Sequence, residues 1–115
     1  MKTKKFVFDL DSKVAIYVPS TNNAVESCDN TGMVKRVLSK LSDMFGGATA
    51  TDAIGGWNSI EHGLITERVT IVYSFCKSED FANHFDEVLE LCESIKSEMS
   101  QEAVTLEYNG QVKFI

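Results

Sequence analysis

The sequence predicts an α+β fold, a two-layer sandwich in which two helices cover one face of an antiparallel sheet. The expected order is ferredoxin-like, βαββαβ, with an extra strand from a C-terminal hairpin. Three observations predict it. Segments that alternate with period two are interleaved with two segments whose apolar residues recur at helical spacing. Along the chain these read strand, helix, strand, strand, helix, strand. Two amphipathic helices also need one apolar sheet face, and each strong strand supplies just one. With 115 residues, 43% of them hydrophobic, the chain holds one core. Residues 1–12 read as an N-terminal extension or edge strand, and residues 13–115 as a single α+β domain.

The opening "MKTKK" reads as a frayed terminus, while "KFVFDL" alternates at Phe6, Phe8 and Leu10 and is the candidate edge strand. The first strong strand is "KVAIYV", with Val14, Ile16 and Val18 on one face and Ala15 and Tyr17 on the other. Pro19, the one proline, closes it. "PSTNNAVESCDN" has the composition of a loop, and Asn30 or Thr31 is placed to cap a helix. That helix is marked by Val34, Val37, Leu38, Leu41, Met44 and Phe45, and Gly46 falls where a left-handed terminus is wanted. "ATATDAIGGW" reads as a strand of small residues, weakened or bulged at Gly55-Gly56.

After a turn in "NSIEHG", residues 64–75 form the clearest strand. Ile65, Val69, Ile71, Tyr73 and Phe75 share one face, which is expected to meet the helices. Thr66, Arg68, Thr70 and Ser74 share the other. A second helix is expected from Phe81 to Met99, with its stripe at Phe81, Phe85, Val88, Leu89, Cys92, Ile95 and Met99. "EAVTLEYNGQVKFI" closes the chain as a strand, an Asn109-Gly110 turn and a final strand. The uncovered sheet face is expected to carry Tyr17, Thr66, Arg68, Thr70, Thr105 and Glu107.

Charge limits the function. Eleven basic residues face 17 acidic ones, for a net charge of −6 and a pI of about 4.8. Direct nucleic-acid binding needs clustered Lys and Arg, so it is excluded here. Cys28, Cys76 and Cys92 are isolated thiols, and His62 and His84 complete no zinc pattern, so no metal or cofactor is expected. Neither a secretory signal nor a membrane-spanning run is legible, and a cytoplasmic location follows as the expectation.

The glycine pairs Gly46-Gly47 and Gly55-Gly56 lack the strand-to-helix setting and the Gly-Lys-Ser/Thr of a phosphate loop, so they read as a helix stop and a strand break. Trp57 beside a glycine break either lines a groove or caps the core edge. Glu67 and Glu102, with Arg68 and Gln101, outline a possible ligand groove in which a carboxylate acts as acid or base, or else holds a loop. Asp86, Glu90 and Glu93 stack on the second helix as an acidic stripe. Such a stripe is by default a solvated face, but it also imitates a phosphate backbone and fits the basic groove of a nucleic-acid-binding partner.

"FGGATA", "GGW", "TERVTIVYSF" and "QEAV…YNGQVKFI" together resemble a set of small bacterial proteins of domain-of-unknown-function type. These are associated with Firmicute chromosomes, prophages and plasmids, and share a G-x-W, a Glu-led strand, a helix and Q-E-[AS]-V. The resemblance covers residues 13–115, implies the α+β sandwich and assigns no catalytic residue. It suggests an inhibitor of host defence. The reading from sequence is therefore a non-enzymatic acidic binding module, anti-CRISPR-like, acting by protein contacts or nucleic-acid mimicry and forming a homo-oligomer such as a dimer. The alternative is a small-molecule or nucleotide-signal sponge, or a minor enzyme, using the Trp57, Glu67 and Glu102 region.

Overall fold

Alternation in the strands and the helical stripes produce an α+β sandwich built on a five-stranded antiparallel sheet. The structure, a computed structural model, describes residues 7–22 and 26–115. In chain order the elements are β1 (Ser12–Pro19), β2 (Thr21–Asn22), β3 (Glu26–Ser27), α1 (Thr31–Phe45), β4 (Thr49–Ser59), β5 (Gly63–Cys76), α2 (Ser78–Asn83), α3 (Phe85–Glu98), β6 (Thr105–Tyr108) and β7 (Gln111–Phe114). The main sheet runs β4-β5-β1-β6-β7, and β2 pairs with β3 in a small ribbon. No described helix is long and apolar enough to cross a membrane.

The helices lie on one face of the sheet. Val14, Ile16, Val18, Val72 and Leu106 from the strands meet Val37, Leu41, Val88, Cys92 and Ile95 from the helices in one buried cluster. Arg36 and Glu98 join α1 to α3 through a paired, half-exposed salt bridge. Gly46 ends α1 in the left-handed region at φ +89°, and its N–H donates to the Ser42 carbonyl, as the sequence predicts. Asn109 and Gly110 both take positive φ in the β6–β7 turn, again as predicted.

The face assigned to β5 is inverted. Residues opposite one another on paired strands share a face, and the register is Val14↔Ser74, Ile16↔Val72 and Val18↔Thr70. Val14, Ile16 and Val18 lie under the helices, so Thr70, Val72, Ser74 and Cys76 do too. Ile71, Tyr73 and Phe75 therefore stand on the uncovered face. The polar members of the buried set are tolerated because each has a partner. Ser74 Oγ donates to the Gly47 carbonyl at 2.6 Å, and Thr70 Oγ1 is bonded to both the Asn30 amide and Asp52.

Four local expectations also change. The second helix is broken at His84, whose N–H reaches back to the Asp80 and Phe81 carbonyls before α3 begins. The Gly55-Gly56 pair is neither bulged nor broken, since Gly55↔Glu67 and Gly56↔Thr66 continue an even ladder. The loop after Pro19 contains the short β2–β3 pairing. At the start of α1 the Asn30 side chain makes no cap; Asp29 accepts the Thr31 N–H at 3.0 Å instead. Of the N-terminal segment, Val7–Asp11 form no strand, and residues 1–6 lie outside the described residues.

β4 and β5 are much longer than β1. The last β1 pairing is Pro19↔Val69, and from Ile54 to Arg68 the hairpin runs on as a two-stranded arm. The molecule is elongated, with extents of 60 × 32 × 22 Å and a radius of gyration of 16.1 Å, against about 13 Å for a compact domain of this length. The tip is a three-residue loop in which Ser59 Oγ accepts the Glu61 and His62 N–H groups and Gly63 takes φ +71°.

Candidate active site

The uncovered face ends, at the root of the arm, in a cleft of about 400 Å³. Its floor comes from the central strands through Tyr17, Val69 and Ile71, one wall from the arm through Ala53, Gly55, Glu67 and Arg68, and the other from Gln101 and Thr105. A volume of this size, with an apolar floor and a few polar groups, suits a small molecule. The sequence dictates the arrangement simply. Alternation places Tyr17, Glu67, Val69 and Ile71 on the uncovered side once β1 and β5 pair in this register.

Glu67 stands opposite Gly55 in the ladder. Without a side chain on that residue, the carboxylate looks across bare backbone. A Cβ built on Gly55 meets only the Glu67 carbonyl, at 4.0 Å, so the gap is an opening over the sheet rather than a packing need. Gln101 is held rigidly, its amide nitrogen donating to the Thr21 and Met99 carbonyls at 2.7 and 3.0 Å, which leaves its oxygen free to accept. Tyr17 Oη donates to Glu107 Oε1 at 2.9 Å. That bond, then burial and the adjacent negative charge, pushes the phenol above its ordinary range. A second cavity of about 540 Å³ lies beyond Arg68, bounded by Ser20, Cys28, Ile54 and Thr66, and shares Glu67 and Arg68 with the first.

Of the residues singled out from sequence, Glu67, Arg68 and Gln101 meet in the cleft. Trp57 does not line it. By register it lies on the same face two residues beyond Gly55, roughly 7 Å along the strand, and is 59% exposed. Glu102 is exposed and lines neither cavity. Asp86, Glu90 and Glu93 are exposed along α3; Glu93 lies 3.8 Å from Lys96, and Glu90 borders a shallow α1–α3 hollow with Arg36 and Lys40. The polar cleft residues that sequence reasoning did not name as a site are Tyr17 and Thr105, although both were placed on the uncovered face. Among the described residues no group of His, Cys, Asp and Glu is set to hold a metal. Cys92 is buried, and its thiol is pushed up to about 12 by that burial.

No protein-family model matches the chain, and no curated relative matches it. Two solved structures share its fold almost end to end. A phage SAM lyase in complex with S-methyl-5′-thioadenosine has a TM-score of 0.65 at 18% identity, with 96% of this chain and 95% of that one covered. The same kind of enzyme in its apo state gives 0.68 at 18%, with 99% and 95% covered. These findings overturn the expectation of a non-enzymatic acidic binder. The solved proteins built like this one are enzymes that act on a small sulfonium compound, and the α3 carboxylates have no part in the cleft.

Proposed function

We propose that this chain is an enzyme of the SAM lyase type, binding S-adenosylmethionine in the uncovered-face cleft and releasing S-methyl-5′-thioadenosine. The observation that carries the reading is the fold-wide likeness to a lyase holding that product, in a chain whose uncovered sheet face ends in a cleft of suitable size. Forming S-methyl-5′-thioadenosine requires breaking the bond between sulfur and the aminobutyrate carbon, with the electron pair passing to sulfur. The sulfonium is already an activated leaving group. In a lyase the electrons come from within the substrate: as the S–C bond breaks, either the substrate's own carboxylate oxygen bonds to that carbon, giving a lactone, or a neighbouring C–H loses its proton and an alkene forms, so the protein's task is to hold the tail folded in line with the departing sulfur.

The roles follow from placement. Glu67, across from Gly55, provides the carboxylate beside the reacting sulfonium. Arg68 pairs with the substrate's carboxylate. The free Gln101 oxygen accepts from the adenine amino group, and Trp57 stacks on the ring from the arm. An enzyme that consumes the methyl donor also disarms any defence that depends on methylation, so the mobile-element expectation gains a chemical route in place of a contact one. For the sheet we propose the split βαβ, ferredoxin-like order with β7 added beyond β6. For partners we propose further copies of the same chain, meeting through the uncovered face.

Incubating the purified protein with S-adenosylmethionine and following S-methyl-5′-thioadenosine by chromatography tests this. Wild type should form the product, and Glu67→Gln should slow it about a hundredfold with an unchanged melting temperature, because Glu67 is exposed. No product from wild type would end the reading.

A further inference from the structure

Glu67 and Arg68 both border the cleft and are both exposed, neighbours on β5 that leave opposite faces of the ribbon, so the rim carries one charge of each sign. The floor breaks the tie. Tyr17 lines the cleft, and behind it sits Glu107, half-buried on β6 and level with Ala15 in the ladder. The Tyr17 hydroxyl donates to this carboxylate at 2.9 Å, which pins the ring and orients it on the sheet face. Donation to an anion shifts electron density onto the ring. The face of an electron-rich ring attracts a cation, more strongly where water is partly excluded. Because the phenol is pushed above its ordinary range, it stays protonated and keeps donating throughout the neutral region.

We propose that Glu107, acting through Tyr17, makes the cleft select a cationic ligand over its neutral counterpart, a sulfonium over the corresponding thioether. This rests on the lyase reading of the cleft. Tyr17 is the group that meets the ligand, and Glu107 is the positioning residue behind it. The pair gives the reaction a direction at the binding level: the substrate carries a fixed positive charge on sulfur, the released thioether carries none, and cleavage itself removes the attraction that held the ligand.

The test compares two ligands on wild type, Glu107→Gln and Tyr17→Phe by calorimetry. One is neutral S-methyl-5′-thioadenosine, and the other an S-adenosylmethionine analogue with a protonated amine in place of the sulfonium. Both variants should weaken the cationic ligand about tenfold while moving the neutral one less than about twofold. Equal weakening of both ligands would mean a merely structural pair, and no change in either would mean no role; each overturns the proposal. Should Glu107→Gln fail to fold, Tyr17→Phe keeps the ring and carries the same comparison. A wild type that binds neither ligand removes the lyase reading itself, whereas a wild type that binds both with variants that shift neither removes only the selectivity.

Discussion

The two faces of β5 make the most instructive comparison in the molecule. Under the helices it presents Thr70, Val72, Ser74 and Cys76; toward the open side it presents Val69, Ile71, Tyr73 and Phe75. The covered set is the less apolar of the two. The open set has more hydrophobic area, yet Phe75 is 54% exposed, and Phe114 on β7, the far edge of the sheet, is 74% exposed. Lys13 lies over the Tyr73 ring at 4.3 Å and reaches toward Phe75. This chain therefore does not spend its most apolar strand surface on its own core. Small and hydroxylated residues suffice beneath helices when backbone partners are at hand, and the larger apolar side chains stand on the open face.

That contrast can be broken at several points. Ile16→Ala, in the covered layer, should cost about 3 kcal/mol in a denaturant titration, because it opens a cavity among residues that bury completely. Phe75→Lys combined with Phe114→Lys should cost less than about 1 kcal/mol, yet should lower the sedimenting mass if copies meet through the open face. Comparable destabilisation by the two changes would mean that the open face is core after all.

A sharper probe is Gly55→Leu. Its backbone is unstrained and the added Cβ meets nothing closer than 4.0 Å, so the fold should survive. The side chain would nevertheless fill the space facing Glu67. Thermal stabilisation by S-methyl-5′-thioadenosine, about 2.7 kcal/mol at a hundredfold excess over Kd in wild type, should vanish. Retained stabilisation would move the ligand elsewhere. The smallest effect is expected at Ser74→Ala. It leaves the Gly47 carbonyl without its 2.6 Å partner beneath the helices and should cost about 1 kcal/mol; a neutral result would show that carbonyl finding water.

Most of the elements were legible because periodicity and turn chemistry are local. Gly46 had to be left-handed after a helix, and Asn109-Gly110 had to turn a hairpin. The face of β5 was not legible in the same way. Both parities of "VTIVYSF" are plausible core, and the choice is made by the register with Val14 and Ile16 and by a carbonyl at Gly47 that only folding brings near Ser74. The break at His84 was hidden for a similar reason, since the apolar stripe continues in register across it.

The site was partly legible. Glu67 and Arg68 were marked by charge near a strand start and Gln101 by its place beside Glu102, and topology brings these three to one cleft. Tyr17 escaped notice as a cleft residue because what orients it, the hydrogen bond to Glu107, spans ninety positions in sequence. The acidic α3 misled the functional reading because charge density is visible in a sequence whereas a cavity is not.

Among the described residues, the ribbon of β4 and β5 beyond Pro19 pairs with no third strand. Its outer end is thus uncoupled from everything that makes the molecule stable. Adding or removing one residue pair on each strand keeps which way the side chains look and leaves the globular part as it is. Reach becomes an adjustable trait, separable from folding.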